Sequence, residues 1–135
     1  MVIRRCAMTQ GKDTSMAGKG KEGLSNRALG AMGEDIAARY LEEQGFSIWA
    51  RNFRCRAGEI DIIASKNREL SFIEVKTRRD MSYGRPCESV TSAKKRHMRM
   101  CAEYYLKRLR EAGYAPDHVK FDVIEIVIQH IECAF

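Results

Sequence analysis

The amino-acid sequence predicts an α/β protein in a single domain, and three observations support that fold class. Two segments repeat apolar residues at the three-and-four spacing of an amphipathic helix. Four shorter segments are rich in Val, Ile and Phe and have the alternating or continuous apolar pattern of strands. The length of 135 residues, with 44% hydrophobic side chains, suits one folded core, since independent domains usually have about 100 to 200 residues.

The first helix is predicted over Arg27 to Gln44, after which Gly45 supplies the stop. The second helix follows Thr91, whose hydroxyl can cap a helix, and runs to about Glu111. An apolar stripe predicts the buried side of this second helix: Met98, Cys101, Ala102, Tyr105 and Leu109.

The strand patterns give the element order helix, three strands, helix and strand. The second and third strands are separated only by the polar segment 65–69, which is short enough to close an antiparallel hairpin. We expect a basic turn at 51–56 and a loop containing Gly84 and Pro86 at 81–89. The last strand is dense in Val, Ile and Phe and is therefore expected in the centre of the sheet. The four strands are predicted at 46–50, 58–64, 70–77 and 119–128.

The chain divides into a predicted disordered tail, residues 1–26, and a folded domain, residues 27–135. The tail is rich in Gly, Lys, Ser and Thr and has no apolar periodicity. It carries five basic and two acidic side chains, a net charge of +3, and the folded part carries nineteen basic and sixteen acidic groups. The folded part is thus only weakly basic, which permits binding to a polyanion without demanding it.

Cysteine usage and hydropathy predict a cytoplasmic protein. No stretch approaches the roughly 20 apolar residues that cross a bilayer, and Arg4-Arg5 is not followed by the apolar run of an export signal. The cysteines are odd in number, widely spaced and never form a C-x-x-C pair, which favours reduced thiols. They are Cys6, Cys55, Cys87, Cys101 and Cys133.

The two predicted hairpin strands carry acidic and basic side chains on a shared face. The period of two places Asp61 on one face of the first strand, together with Glu59 and Ile63. In the second strand Glu74 and Lys76 share a face. Pairing of the strands would bring Asp61 and Glu74 to one side of the sheet, where two carboxylates and an ammonium would meet.

Such a cluster predicts a divalent cation site. Two close carboxylates repel unless a cation or a proton intervenes, and oxygen ligands suit Mg²⁺, or Mn²⁺ in its place. Lys76 would lie beside the ion, where its charge could orient an attacking water and stabilise a pentavalent phosphate. Glu34 borders the apolar face of the first helix and could reach the metal. The alternative interpretations are a solvated charge at Glu34 and an exposed ion pair between Glu74 and Lys76, worth about 0 to 1 kcal/mol.

The order Asp61, spacer, Glu74-x-Lys76 resembles the PD-(D/E)xK nuclease superfamily, which includes restriction enzymes and archaeal Holliday junction resolvases. A longer set of motifs is similar to the YraN-like family of uncharacterised bacterial proteins, with one departure, Lys120 in place of the usual arginine. The likeness covers about Ala28 to Ile126. It rests on Gly30-x-x-Gly33-Glu34, Arg51-Asn52-Phe53-Arg54, Gly58-Glu59-Ile60-Asp61, Phe72-Ile73-Glu74-Val75-Lys76-Thr77-Arg78, Tyr83-Gly84-Arg85-Pro86, Val90-Thr91 with Lys94, and Phe121-Asp122-Val123.

The resemblance implies a restriction-endonuclease-like fold, in which a mixed β-sheet is flanked by α-helices and the acidic hairpin lies at its centre. It assigns Glu34, Asp61 and Glu74 to metal binding, with the Val75 carbonyl as a further ligand. It assigns Lys76 to catalysis, so that the implied catalytic set is Asp61, Glu74 and Lys76.

Basic side chains flank the proposed site in sequence and predict contacts to phosphate. Helix amino termini favour phosphate, and a basic first turn reinforces that preference. Because phosphate contacts bind many sequences, we expect selection by DNA shape or structure, such as branched DNA, and little base readout. The candidate nucleic-acid-binding residues are Arg54, Arg56, Arg78, Lys94 and Lys95.

These patterns predict a metal-dependent endonuclease that hydrolyses phosphodiester bonds in DNA. Its partner would be nucleic acid, and a homodimer is one way to cut both strands of a duplex. One alternative is a catalytically silent nucleic-acid-binding or scaffolding module that keeps the nuclease-like fold. Another is a protein-interaction domain that binds no nucleic acid.

Overall fold

The computed structural model describes residues 1–7, 25–79 and 90–135, which form a five-stranded sheet with one helix on each face. The strands lie in the order β1-β5-β4-β3-β2. Strands β4 and β5 are parallel, and the other neighbouring pairs are antiparallel. The predicted α/β class, a mixed sheet flanked by helices, is confirmed. The elements are β1 (Val2–Ala7), α1 (Asn26–Glu43), β2 (Ser47–Cys55), β3 (Gly58–Lys66), β4 (Glu69–Arg78), α2 (Ser92–Glu111) and β5 (His118–Val127).

Each helix covers its own apolar cluster on the sheet. On one face, the small residues Ala37 and Ala38 of α1 let the helix approach the sheet closely, and Leu41 fills the space beside them. The strand residues beneath α1 are Ile62, Ala64, Ile73, Ile124 and Ile126. On the other face, Cys101 and Ala102 of α2 pack on Ile60, Ile63, Leu70 and Phe72. Adjacent residues of β4, such as Phe72 and Ile73, therefore serve opposite cores.

Both helices have the ends that the sequence predicts. The Ser25 side chain accepts a hydrogen bond from the Ala28 N–H, and the Thr91 hydroxyl accepts one from the Lys94 N–H. These caps satisfy donors that a helix start otherwise leaves free. Gly45, with φ of 83°, follows the end of α1 in the left-handed region that favours glycine. Among the described residues, neither helix is long and apolar enough to span a membrane.

The predicted hairpin of β3 and β4 is confirmed. Its turn contains Asn67 and Arg68, both with positive φ, of 51° and 61°. Two consecutive positive φ values are the geometry of a tight two-residue hairpin turn, whose twist matches that of the strands. The Arg68 carbonyl also accepts the Asp117 N–H at 2.9 Å, which ties this turn to the start of β5.

The amino terminus differs from the tail that composition predicts. Residues Val2–Ala7 form β1, which pairs antiparallel with β5 from Val2 opposite Val127 to Ala7 opposite Asp122. The prediction of a disordered tail over 1–26 is therefore wrong for these six residues, because pairing with a distant strand leaves no mark on local composition. Pairing with β1 on one side and β4 on the other makes β5 an inner strand, beside the middle strand β4. Residues 8–24 of the tail and the predicted loop at 81–89 lie outside the described residues.

The basic turn predicted at 51–56 is also corrected, since β2 continues to Cys55 and the turn is confined to Arg56 and Ala57. Strand β2 lies at the edge of the sheet, where charged side chains are common. Arg51 and Arg54 lie in ion pairs, with Asp35 of α1 and Glu59 of β3. The run of arginines therefore belongs to an exposed strand.

Replacing Gly33 with alanine tests how closely α1 packs on β4. A Cβ at this position would collide with the Thr77 side chain, so we expect Gly33→Ala to lower the free energy of unfolding by about 1 to 3 kcal/mol. Gly30→Ala is the matched control. A Cβ at Gly30 meets nothing within 4 Å, and alanine favours a helix interior by about 0.5 to 1 kcal/mol. Urea denaturation measures both, and equal free energies for the two variants would contradict this packing.

Candidate active site

Asp61 lies where β3 separates from β4. The pairing of β3 with β4 runs from Lys66 opposite Glu69 only as far as Ile62 opposite Ile73. In the ladder between β3 and β2, Ile62 pairs with Arg51 and Ile60 pairs with Phe53, and Asp61 is skipped. In place of a ladder bond, Asp61 Oδ2 accepts the Val75 N–H of β4 at 2.7 Å. A side-chain carboxylate therefore bridges the opening between the two strands.

Glu74, on the neighbouring strand β4, lies between the ammonium groups of two lysines. Its side chain is only 4% exposed; Oε1 lies 2.8 Å from Lys76 Nζ and Oε2 lies 2.9 Å from Lys94 Nζ. Lys76 comes from the same strand, two residues further on, and Lys94 comes from the first turn of α2. A buried carboxylate needs such partners, because an unpaired charge away from water is strongly unfavourable.

Asp61 and Glu74 interact where the regular alternation of β3 ends. On β4, Phe72 packs beneath α2 and Ile73 beneath α1, so alternation directs Glu74 to the α2 face, where Lys94 meets it. On β3, Ile60 packs beneath α2 and Ile62 beneath α1, so alternation breaks at Asp61, whose carboxylate reaches the Val75 N–H. Burial, and then the charge of Glu74, raise the pKa of Asp61 from 3.8 to about 7, although the Val75 N–H and Lys94 act in the other direction. The two acidic groups predicted to converge are therefore brought together.

Lys94 is part of this cluster as well as a candidate phosphate ligand. Burial lowers the pKa of Lys94, but the hydrogen bond and charge of Glu74, followed by the charges of Asp61 and Glu59, outweigh burial and raise it overall. Its Nζ also approaches the Glu59 carbonyl oxygen at 3.5 Å. The sequence predicted contacts to phosphate at this position and did not indicate a partner inside the protein.

Glu34 approaches the cluster from α1, on the other side of the opening. The Asn52 Nδ2 donates to Glu34 Oε2 at 2.9 Å, and the charge of Glu34 contributes to the raised pKa of Asp61. Asn52 has φ of 50°, a conformation that asparagine adopts more readily than most residues. The sequence analysis missed Asn52 as a site residue, and its only signal was its place in the motif that precedes Arg54.

The other predicted phosphate ligands lie around the same end of the sheet. Arg56 is exposed in the turn between β2 and β3, and a Cβ at the following Gly58 would lie 3.2 Å from His97 Cβ of α2. This turn therefore touches the first half of α2, which carries Lys95. Arg54 is exposed and paired with Glu59. Arg78 is mostly buried, with Nε 2.9 Å from Glu125 Oε1, so its guanidinium is bound within the sheet.

Asp61, Glu74 and Glu34 offer carboxylate oxygens, which are the ligand atoms that a hard divalent cation prefers. The raised pKa of Asp61 marks a place where a cation would relieve repulsion between carboxylates. Within residues 1–7, 25–79 and 90–135, however, no three His, Cys, Asp or Glu side chains are grouped closely enough to hold a metal ion. Lys94 and Lys76 instead compensate Glu74.

The fold and the cluster define an α/β domain with two buried carboxylates, one of which is paired with two lysines. The chain belongs to the uncharacterised protein family UPF0102, whose sequence profile matches residues 33–126. That range contains the whole cluster, from Glu34 to Lys94. The match confirms the family-level resemblance drawn from the motifs.

Relatives from distant bacteria align with most of the chain. It is 50% identical to the UPF0102 protein of Rhodococcus jostii over 105 residues, 78% of this chain and 86% of the relative. A UPF0102 protein of Clostridium perfringens strain 13 is 48% identical over 101 residues, 75% of this chain and 80% of that protein. One from Symbiobacterium thermophilum is also 48% identical over 101 residues, 75% and 83% of the two chains.

Neutralising Asp61 should change how stability depends on pH. Because the pKa of Asp61 is about 7 in the folded chain, against the ordinary aspartate value of 3.8, the folded state holds this proton more tightly than the unfolded state does. Ionisation of Asp61 therefore lowers the free energy of unfolding progressively as the pH rises from about 4 to 7. Asp61→Asn removes the charge and keeps an acceptor for the Val75 N–H. We expect its free energy of unfolding, relative to wild type, to rise by about 2 to 3 kcal/mol from pH 5 to pH 8.

Thermal unfolding in the presence of a chelator, at pH 5, 6, 7 and 8, measures this difference. Glu59→Gln is the control, since Glu59 is an exposed carboxylate on the same strand and should change stability by only a few tenths of a kcal/mol. Parallel stability curves for wild type and Asp61→Asn across this range would contradict the shifted pKa.

Proposed function

We propose that this protein is a Mg²⁺- or Mn²⁺-dependent endonuclease of the PD-(D/E)xK superfamily that hydrolyses phosphodiester bonds in DNA, with structured or branched DNA as its substrate. The observation that carries the proposal is the meeting of two buried carboxylates, since the charge of Glu74 helps to raise the pKa of Asp61. The ammonium of Lys76 lies 2.8 Å from Glu74 in that same cluster. Phosphodiester hydrolysis needs these components: oxygen ligands for a cation and a positive charge beside them.

Asp61 and Glu74 would hold the cation, because they are the two buried carboxylates whose charges interact. Glu34 would reach the same position from α1 and the Val75 carbonyl from β4. The Val75 N–H already fixes one oxygen of Asp61, which leaves Oδ1 to bind a ligand. When bound, the cation supplies a water of lowered pKa and compensates charge on the phosphate.

Lys76 would act on the phosphate side of the reaction. Its side chain is 35% exposed while that of Glu74 is 4% exposed, so the ammonium stands between the buried carboxylate and solvent. From this position it can orient an attacking water and stabilise the charge that develops on the phosphate oxygens. Lys94 is 24% exposed and adds a second positive charge, which favours approach of an anionic substrate.

DNA would be held through its backbone. Arg54 near the end of β2, Arg56 in the following turn and Lys95 at the start of α2 border the cluster. Arginine and lysine on phosphate position a duplex without reading its bases. A substrate distinguished by shape, such as a branched junction, fits this set of contacts.

A second candidate function is a catalytically silent nucleic-acid-binding module. The observation that favours it is the pairing of Glu74 with both Lys76 and Lys94, which compensates the carboxylate without a metal ion. In that case the cluster would stabilise the fold, and the surrounding basic residues would bind the nucleic acid. Such a protein would bind DNA with a steep salt dependence and release no cleaved product.

Calorimetric titration with Mn²⁺ tests the cation site independently of any substrate. We expect one site on wild type and a loss of affinity of about a hundredfold or more in Asp61→Asn and in Glu74→Gln, because each variant removes a charged oxygen ligand. Glu59→Gln is the matched control, since it removes an exposed carboxylate two residues from Asp61. Equal Mn²⁺ affinity in Asp61→Asn and Glu59→Gln would contradict a cation site in this cluster.

Cleavage assays on linear, single-stranded and branched DNA with Mn²⁺ separate the two candidate functions. We expect Lys76→Ala to lower the rate by about a hundredfold or more, since the stabilising charge beside the phosphate is lost. Lys120→Ala is the control, because Lys120 forms an exposed ion pair with Glu69 at the other end of β4. Salt-sensitive binding by wild type with no product on any substrate would support the silent module. Cleavage that survives both Asp61→Ala and Lys76→Ala would contradict the assigned residues.

A further inference from the structure

Two cysteines from separate elements meet between the edge strand and α2. Cys55 is the last residue of β2 and Cys101 lies midway along α2. Their sulfurs are 2.7 Å apart across 46 residues of sequence, and both are free thiols. We propose that Cys55 and Cys101 form a modification site, at which a peroxide oxidises the two thiols to a disulfide that fastens α2 to β2.

The surrounding backbone holds the two thiols together. The Ala57 N–H donates to Cys55 Sγ at 3.4 Å, which fixes the sulfur at the turn after β2. Gly58 then makes room for α2, since a Cβ there would lie 3.2 Å from His97 Cβ and 3.9 Å from Cys101 Sγ. A disulfide has its sulfurs about 2.05 Å apart, so the bond requires a movement of less than about 1 Å. The native fold therefore presents the pair ready to be joined.

The exposure of the two thiols sets the order of the chemistry. Cys101 is fully buried and Cys55 is half-buried, so peroxide reaches Cys55 first. The Cys55 sulfur attacks the peroxide, an S–O bond forms as the O–O bond breaks, and a sulfenic acid and one water result. Cys101 then attacks that sulfur, the S–S bond forms, and the sulfenic oxygen leaves with the Cys101 proton as a second water.

The Cys101 thiol is not a free nucleophile on its own. Burial, followed by the Cys55 contact, raises the pKa of Cys101 to about 12, so it stays protonated until the neighbouring sulfur is oxidised. The pair should therefore resist general thiol reagents at Cys101 and react as a unit. Cys133 is exposed and provides an internal reference for ordinary thiol reactivity.

The disulfide would act on the helix that carries Lys94. Cys101 lies seven residues after Lys94, which is two turns along the same side of α2. Asn52, the partner of Glu34, precedes Cys55 by three residues on β2. A covalent link between these two elements would limit movement of α2 relative to the sheet. This inference does not rest on nuclease activity, because it depends only on the two thiols and their surroundings.

The test is to treat the full chain with hydrogen peroxide, digest it without reductant and map the peptides by mass spectrometry. We expect a cross-linked peptide that contains Cys55 and Cys101 and weighs two hydrogens less than its parts. The oxidised protein should unfold at a temperature higher by about 5 °C or more, because a bridge of this span restricts the unfolded chain. Dithiothreitol should reverse both changes. Cys133→Ser should form the same bridge, and Cys55→Ser should neither form it nor gain stability on oxidation.

Three outcomes would overturn the proposal. The first is modification of Cys133 without a bridge between Cys55 and Cys101 in wild-type protein. The second is a bridge from either thiol to a different cysteine as the main product. The third is the expected bridge with an unchanged or lowered unfolding temperature, which would mean that the bond does not fit the native fold.

Discussion

Two acidic groups held side by side inside the protein are the main physical constraint on this structure. Asp61 and Glu74 are 9% and 3% exposed, and removing a carboxylate from water is costly unless charges and hydrogen bonds replace the solvent. Lys76, Lys94 and the Val75 N–H provide that replacement. The compensation is incomplete, since the pKa of Asp61 remains raised. A fold that keeps this repulsion gives up stability at one place, which is common where a protein binds a ligand or catalyses a reaction.

The topology of the sheet creates this environment. Strand β4 lies in the middle of the sheet. Glu74 pairs with Val123 of β5 on one side, and on the other side β3 opens away from β4 at Asp61 to leave room for a second carboxylate. The α2 helix connects the parallel strands β4 and β5 and places Lys94 above the opening. The α1 helix on the other face brings Glu34 to its rim. The sheet thus contributes Asp61, Glu74 and Lys76 to the cluster, and each helix adds one charged side chain.

Local sequence patterns predicted most of the fold and half of the site. Both helices are bounded by caps and glycines that act within a few residues, so their ends could be placed closely. The convergence of Asp61 and Glu74 followed from strand alternation and a short hairpin. Strand β1 could not be predicted, because its partner β5 is more than a hundred residues away and its pairing is a tertiary interaction. The contacts of Lys94 with Glu74 and of Asn52 with Glu34 depend on how the helices dock on the sheet, which periodicity does not specify.

The central claim is that the two carboxylates share one ionic environment that a divalent cation can enter. Carbon-13 NMR of the side-chain carboxyl groups, recorded across pH with and without Mg²⁺, tests it at the atoms concerned. The account predicts that the Asp61 carbon titrates near pH 7 without Mg²⁺ and at a clearly lower pH with Mg²⁺, because the cation favours the ionised form. An Asp61 carbon that titrates near 4 in both conditions would contradict the account.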